Sequence, residues 1–121
     1  MDVLFVCFSG DPSTVGIVGP DAIRSLGPTE LLVNVSRGAT VDEKALLEAL
    51  ETKTIAGAEL DVFVNEPDID PCFLMLNNVL PQPHHSSGTV EARTRMGALQ
   101  RENLTAFFSG QSLIAPVPEC V

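Results

Sequence analysis

The sequence contains neither tryptophan nor tyrosine, and it is poor in basic residues. Seven Lys and Arg stand against 16 Asp and Glu in 121 residues, so the formal net charge is −9. Nucleic acids and anionic membrane surfaces bind clustered cations, and this balance therefore argues against both as partners. Phe and the aliphatic residues must build the core, and a 45% hydrophobic fraction suits one folded domain.

Signatures of disulfides, metal sites and phosphate loops are also missing. The three cysteines (Cys7, Cys72 and Cys120) are far apart and form no C-x-x-C pair. This sparse use of cysteine fits a reducing compartment, so we expect a cytoplasmic protein in which Cys7 is a small core residue. Adjacent His84 and His85 do not easily ligate one ion, so no metal is expected. The glycine-rich turn G-x-G-x-x-G does not occur.

Four short apolar runs predict the strands of a sheet. They cover residues 3–8, 31–35, 55–63 and 78–80. Helical segments separate or follow them, so the order predicts an α/β fold with a parallel sheet and right-handed crossovers. In such sheets, ligands bind at the carboxyl ends of the strands.

Local capping signals predict three helices. A short helix is expected to begin at Pro20, because proline suits the first helical position. Thr40 and Glu43 fit a capping box for a second helix. Thr89 or Ser87 is expected to cap a long last helix that reaches about residue 108. Positions 92, 96, 99 and 107 form an apolar stripe on it.

Polar residues follow three successive predicted strands. Arg37 comes after the second strand, Asp61 and Glu66 lie at and after the third, and His84 follows the fourth. A doubly wound topology would bring them to one edge of the sheet. Arg37 stands just before a helix N-terminus, where the helix dipole opposes a cation. An anionic ligand and a solvated loop arginine explain this position equally well.

His84 and His85 are the candidates for acid–base chemistry, because histidine exchanges protons near neutral pH. A histidine in a loop is usually a surface residue. A role in acid–base chemistry becomes the better interpretation only if the fold brings Glu66 to the imidazole, since a neighbouring carboxylate stabilises the imidazolium. The residues alone therefore predict an α/β domain with a polar cleft and leave the choice between the two histidines open.

Three segments resemble signature segments of the D-isomer-specific 2-hydroxyacid dehydrogenases. They read LVNVSRG (32–38) with VDEKAL (41–46), IAGAELDVF (55–63) with NEP (65–67), and PHHSSGT (83–89). They stand in the family's order and spacing, and the resemblance covers nearly the whole chain. In detail the chain looks most like the glyoxylate and hydroxypyruvate reductases of the family.

The resemblance implies hydride transfer between a nicotinamide and C2 of a small 2-keto or 2-hydroxy acid. Arg37, Glu66 and His84 match the family's catalytic Arg, Glu and His, and His84 is the first histidine of the pair. Arg37 would hold the substrate carboxylate and carbonyl oxygen through its forked donors. His84 would protonate the carbonyl oxygen, and Glu66 would keep His84 protonated and oriented. A glutamate at position 66 favours this branch over the formate dehydrogenases, which carry glutamine there.

The resemblance also implies NAD or NADP as the cofactor and a set of residues beside it. Asp61 matches the position that binds the nicotinamide carboxamide. Val35 and Ser36 lie where backbone atoms approach the ring, and Thr14 lies in a loop near it. Arg37 and His84 would also border the cofactor. Gln82 departs from the threonine of many members and leaves the catalytic positions intact.

Full family members are much longer, so the chain resembles their C-terminal portion. Residues 1–110 are expected to form the second half of a Rossmann-like NAD(P)-binding domain with a crossover helix, and residues 111–121 a tail of the substrate domain. The first strand would then expose an apolar edge. We expect little or no activity from this chain alone, although its parent would be an enzyme and a homodimer. The alternatives are a non-catalytic truncated remnant and a dinucleotide-sensing binding module.

Overall fold

The computed structural model describes residues 3–117 and contains a four-stranded parallel sheet. The strands are β1 (Val3–Val6), β2 (Leu31–Asn34), β3 (Gly57–Leu60) and β4 (Val79–Pro81), in the spatial order β1-β2-β3-β4. Every neighbouring pair is parallel, with Val3 opposite Leu31 and Leu31 opposite Gly57. The predicted α/β fold with a parallel sheet is confirmed.

Residues 3–117 contain four α-helices, and the chain divides into two compact units. The helices are α1 (Pro20–Arg24), α2 (Glu43–Glu51), α3 (Cys72–Met75) and α4 (Val90–Phe108). Short 3-10 turns cover Pro12–Thr14 and Gly38–Thr40. The first unit ends at His85 and contains the sheet with α1, α2 and α3, whereas the second begins at Ser86 and contains α4.

The start of α2 shows that the predicted capping box at Thr40 is wrong. Asp42 is the N-cap, and its carboxylate accepts a hydrogen bond from the Ala45 N–H at 3.0 Å. Thr40 is buried in the preceding 3-10 turn, where its hydroxyl donates to the Arg37 carbonyl at 2.6 Å. The turn therefore uses the Thr40 hydroxyl before the helix begins, and the carboxylate next to the helix takes the capping role.

The third strand is shorter than predicted, and α3 was not predicted. β3 ends at Leu60, yet Ile55, Val62 and Phe63 outside it are also buried. The flanking loops are also apolar because they line the same core. An apolar run in the sequence is therefore longer than the strand within it. α3 buries Phe73, whose ring meets Phe63 edge-to-face with centroids 5.6 Å apart. Its four residues are too few for a helical periodicity to show in the sequence.

The core lies between the sheet and the helices of the first unit, and β1 forms one edge of the sheet. Within residues 3–117, β1 pairs only with β2, and Phe5 on it is 63% exposed. This agrees with the expected apolar edge. Cys7 directly after β1 is exposed, so the expectation of a core cysteine is wrong.

In the second unit, the predicted cap of the last helix is confirmed as Thr89. Its hydroxyl accepts a hydrogen bond from the Ala92 N–H at 3.1 Å, and α4 ends at Phe108 as expected. Of the predicted apolar stripe, Met96 and Phe107 are exposed and Ala92 and Leu99 are half-buried, whereas Ala106 is the buried residue of α4. None of the helices in the described residues is long and apolar enough to cross a membrane.

Candidate active site

The polar residues singled out in the sequence lie on loops at the carboxyl ends of the strands. Arg37 follows β2, Asp61 and Glu66 follow β3, and His84 follows β4. Because the strands are parallel neighbours, these loops leave the same edge of the sheet. The sheet topology thus brings together residues that are far apart in the sequence.

Glu66 and His84 form a hydrogen-bonded pair. His84 Nδ1 lies 2.7 Å from Glu66 Oε2, and the two side chains are 44% and 33% exposed. The other carboxylate oxygen, Oε1, accepts a hydrogen bond from the Phe63 N–H at 2.8 Å. With Nδ1 directed to Glu66, Nε2 is the nitrogen that can face a substrate. The pair therefore has the geometry of an oriented acid–base histidine.

The backbone at His84 directs two successive residues to two different carboxylates. His84 has φ of 52°, a left-handed conformation that costs a non-glycine residue of order 1–3 kcal/mol. While its ring meets Glu66, the N–H of His85 donates to Asp61 Oδ1 at 2.8 Å. The His85 ring is farther from the same oxygen, at 3.8 Å, and it is 57% exposed. The structure therefore separates the two histidines, with His84 as the residue paired to Glu66.

The contacts of Glu66 favour its ionised form. Burial raises the pKa of the Glu66 carboxyl, but the hydrogen bonds from His84 and from the Phe63 N–H outweigh it. The pKa of Glu66 therefore lies below its ordinary value of 4.5. At neutral pH Glu66 is a carboxylate, which can accept a hydrogen bond from His84 Nδ1.

Arg37 is held by a small network within its own segment. Its carbonyl accepts hydrogen bonds from Asn34 Nδ2 at 3.1 Å and from the Thr40 hydroxyl at 2.6 Å. Asn34 Oδ1 accepts from both the N–H and the hydroxyl of Ser36. The guanidinium donates to the Ser36 carbonyl at 2.7 Å, and none of the ion pairs among residues 3–117 includes it. The backbone is fixed while the charged group stays available for an anion.

The loop after β1 packs against the stem of Arg37. A Cβ atom on Gly10 would lie 2.3 Å from Arg37 Cγ, so only glycine allows this approach. Gly10, Thr14 and Arg37 border a cavity of about 330 Å³. The Thr14 hydroxyl donates to the Asp11 carbonyl at 2.9 Å, which ties it to its own loop.

Arg37 lines one cavity, and the Glu66–His84 pair lines a neighbouring one. Glu66 and His84 line a second cavity of about 400 Å³ with Pro67, Ile69 and Gln82 among its other residues. Phe63 lines both cavities. Arg37 and the Glu66–His84 pair therefore flank one phenylalanine on the same side of the sheet.

The residues expected beside a dinucleotide fit its nicotinamide end. Asp61 is a nearly buried carboxylate directly after β3, where it can accept hydrogen bonds from a carboxamide. Val35 exposes apolar surface directly after β2, whereas the Ser36 side chain turns inward to Asn34 and Thr40. The sequence has no glycine-rich turn for the pyrophosphate. The fit is thus to the nicotinamide end alone.

Sequence reasoning missed three residues that support the site. Asn34 and Thr40 are buried and hydrogen-bond around Arg37, and Glu43 accepts a hydrogen bond from the Val64 N–H at 2.7 Å. For Asn34 a signal was present, because an asparagine between Val33 and Val35 in an apolar strand must find buried partners. Glu43 and Val64 are 21 positions apart, and no local pattern connects them.

The chain resembles known proteins of one family. Residues 1–86 match the profile described as "D-isomer specific 2-hydroxyacid dehydrogenase, NAD binding domain". A 2-ketogluconate reductase of Gluconobacter oxydans is 49% identical over 116 residues, and a glyoxylate/hydroxypyruvate reductase of Arabidopsis thaliana is 42% identical over the same length. Each alignment covers 96% of this chain and 37% of the relative.

Solved structures give the same result. An NADPH-dependent glyoxylate/hydroxypyruvate reductase of Sinorhizobium meliloti, in complex with NADP and malonate, superposes with a TM-score of 0.92 at 45% identity. The match covers 98% of this chain and 37% of that one. A 2-hydroxyacid dehydrogenase of Ketogulonicigenium vulgare superposes at 0.87 with 51% identity, covering 96% and 36%. The chain thus spans little more than a third of the relatives it matches.

Proposed function

Because the chain belongs to the D-isomer specific 2-hydroxyacid dehydrogenase family, we propose that it carries the acid–base and carboxylate-binding groups of an NAD(P)-dependent reductase. The substrate class is a small 2-keto acid. The observation that carries the proposal is the 2.7 Å pair between His84 and Glu66 at the carboxyl edge of a parallel sheet. This pair and Arg37 stand at the positions that the family's signature segments predict for the catalytic residues.

The three side chains divide the chemistry of carbonyl reduction. His84 donates a proton from Nε2 to the carbonyl oxygen, and ionised Glu66 stabilises the imidazolium that makes this donation favourable. Arg37 binds the substrate carboxylate through two parallel N–H donors. A reduced nicotinamide supplies the hydride when it is bound. Thr14, Val35, Ser36 and Asp61, with Arg37 and His84, are the residues proposed to border it.

The substrate is proposed from the part that the relatives' substrates share. Their names include glyoxylate, hydroxypyruvate and 2-ketogluconate, all of which carry a carboxylate next to a carbonyl group. Arg37 and His84 suit these two groups and do not depend on the rest of the molecule. Residues 111–121 are proposed to contribute to the substrate domain of the whole protein, which would be a cytoplasmic homodimer.

A chimera tests this function directly. The chain would replace the matching 37% of the Sinorhizobium reductase, which it resembles at 45% identity, so the remainder of that enzyme supplies the other groups. We expect the chimera to oxidise NADPH with glyoxylate or hydroxypyruvate, and His84→Ala to abolish most of this turnover. A folded chimera that binds NADPH but shows no turnover would contradict the proposal.

The chain alone provides the complementary test. NADH and NADPH would be titrated into it by calorimetry, with glyoxylate or hydroxypyruvate in a parallel run. We expect no measurable binding, because the sequence has no glycine-rich turn to hold a pyrophosphate. Turnover that His84→Ala abolishes would show instead that this chain suffices for the reaction.

A further inference from the structure

We propose that Glu43 is a positioning residue for the Glu66–His84 pair and acts on it through the peptide segment of Phe63 and Val64. The inference deepens the proposed function and rests on it for its catalytic consequence. Glu43 lies in the first turn of α2, outside the two cavities that contain Arg37, Glu66 and His84.

The orientation of Glu66 depends on the backbone at Phe63. One carboxylate oxygen accepts from the Phe63 N–H at 2.8 Å, and the other meets His84 Nδ1 at 2.7 Å. The two contacts together fix the plane of the carboxylate. A rotation of the Phe63 N–H would therefore turn Glu66 away from the imidazole.

Glu43 fixes the next peptide group of the same segment. Its Oε1 accepts from the Val64 N–H at 2.7 Å, across 21 positions of sequence. Successive N–H groups thus bind two carboxylates, Phe63 to Glu66 and Val64 to Glu43. Since α2 fixes the backbone of Glu43, the helix holds this segment at Val64.

Gly38 brings the Arg37 loop against the same segment. A Cβ atom on Gly38 would lie 2.0 Å from the Phe63 carbonyl carbon and 2.3 Å from its oxygen, so this packing requires glycine. The residue after Arg37 and the first turn of α2 therefore both contact the Phe63–Val64 segment. One short stretch of backbone sets the distance between the loop of Arg37 and the loop of Glu66.

The electrostatic environment of Glu43 is unfavourable for a carboxylate. Burial raises the pKa of Glu43, the Val64 N–H lowers it, and the negative charges of Asp70 and Glu66 raise it, with a net rise above 4.5. The first turn of α2 favours an acidic residue, but an exposed position would give that benefit without the burial. The contact with Val64 is what distinguishes Glu43 from an ordinary acidic residue at a helix start.

The test compares two neutral variants of similar length, Glu43→Gln and Glu43→Met. Both remove the charge, but only glutamine keeps an oxygen that accepts the Val64 N–H. The pKa of Glu66 would be measured by carboxyl NMR in the chain itself. We expect a higher pKa of Glu66 in the Met variant than in the Gln variant, because the Phe63 N–H no longer holds the carboxylate in place.

The matched control is Glu91→Ala, which removes an acidic residue from the first turn of α4. It should leave the pKa of Glu66 unchanged. Equal pKa values of Glu66 in the Gln and Met variants would overturn the proposal. If Glu43→Met does not fold, Glu43→Asp is compared with the wild type instead, since both keep the charge and the shorter side chain moves the carboxylate away from Val64.

The same variants in the chimera report on catalysis. We expect kcat to fall about tenfold in Glu43→Met with a smaller change in KM, because a misplaced acid acts on the transition state. Glu43→Gln should restore kcat to nearly the parental value. An inactive parental chimera would count against the proposed function alone, since the NMR comparison needs no turnover, and equal kcat values in an active chimera would count against Glu43.

Discussion

The loops of Arg37 and His84 hold their proposed catalytic side chains in different ways. The side-chain hydrogen bonds of the Arg37 loop stay within residues 34–40 and involve Asn34, Ser36 and Thr40. The His84 loop is fixed by partners 18 and 24 positions away, through Glu66 for the ring and Asp61 for the next N–H. The side-chain bonds of the first loop are therefore local, whereas those of the second form only when distant segments meet in the completed sheet.

Because of this difference, the Arg37 loop and the Glu66–His84 pair should respond differently to small structural shifts. The side-chain hydrogen bonds around Arg37 do not connect different strands, so a shift between β3 and β4 leaves them intact. The His84 pair requires that the loops after β3 and β4 keep their separation. Small shifts between these strands therefore act first on proton transfer and only later on carboxylate binding.

The largest effect is expected from His84→Ala, which removes the proposed proton donor. In the chimera, kcat should fall by about 10² to 10⁴, the usual contribution of a positioned acid. The matched control is His85→Ala, which keeps the backbone N–H that binds Asp61. Steady-state kinetics with glyoxylate would measure both variants. A greater loss in His85→Ala would reverse the assignment of the two histidines.

The next effect is expected from Arg37→Lys, which keeps the charge and loses the forked pair of donors. We expect kcat/KM to fall about 10- to 100-fold, the value of one charge-assisted hydrogen bond. The main change should be in KM if Arg37 binds the carboxylate equally in the ground and transition states. Lys44→Arg on α2 is the control, and an unchanged kcat/KM in Arg37→Lys would contradict the carboxylate-binding role.

The sequence predicted the parallel α/β fold and the edge at which the site forms. Apolar runs separated by capping signals were enough for this, because strand order and direction follow from short crossovers. The family's signature segments then distinguished Arg37, Glu66 and His84 from other polar loop residues. Spacing alone left His84 and His85 as alternatives, and only the 2.7 Å contact to Glu66 separates them in the structure.

What the sequence did not predict depends on contacts between distant segments or on competition between neighbours. Thr40 and Asp42 both suit a helix cap, and the outcome depends on the turn that uses the Thr40 hydroxyl. The bond from Val64 to Glu43 and the burial of Phe73 arise only when loops pack on a formed sheet. Local rules therefore describe the Arg37 loop better than the His84 loop.

A smaller effect, on stability, is expected from Asn34→Ala, which breaks the local network. Its side chain serves the N–H and hydroxyl of Ser36 and the carbonyl of Arg37, all near a buried site. Leaving buried polar groups without partners should lower the free energy of unfolding by about 1–3 kcal/mol. Urea unfolding would measure the change. The exposed residue Asn65 offers a control, Asn65→Ala, with an expected change below about 0.5 kcal/mol, and equal changes in both variants would contradict the role of the network.

The smallest effect concerns pH, where Glu66 and Glu43 should act with opposite sign. The pKa of Glu66 is lowered, so its contribution to stability is present above the ordinary value of 4.5 and is lost as pH falls through the lowered pKa. The pKa of Glu43 is raised, so the folded state binds a proton more tightly than the unfolded chain does. That contribution is present below 4.5 and is lost as pH rises through the raised pKa.

Unfolding in urea across this acidic range, for wild type, Glu66→Gln and Glu43→Gln, measures both contributions. The stability of wild type relative to Glu66→Gln should decrease as pH falls below 4.5, whereas its stability relative to Glu43→Gln should increase as pH falls through the raised pKa of Glu43 toward 4.5. The two carboxylates bind adjacent N–H groups, so the contrast isolates their surroundings: Glu66 has an imidazole partner, and Glu43 faces further negative charge. A gain in the stability of wild type relative to Glu66→Gln as pH falls below 4.5 would show that the contact with His84 does not favour the ionised form of Glu66. The Glu66–His84 pair would then be only a structural contact of the folded protein and not an acid–base couple.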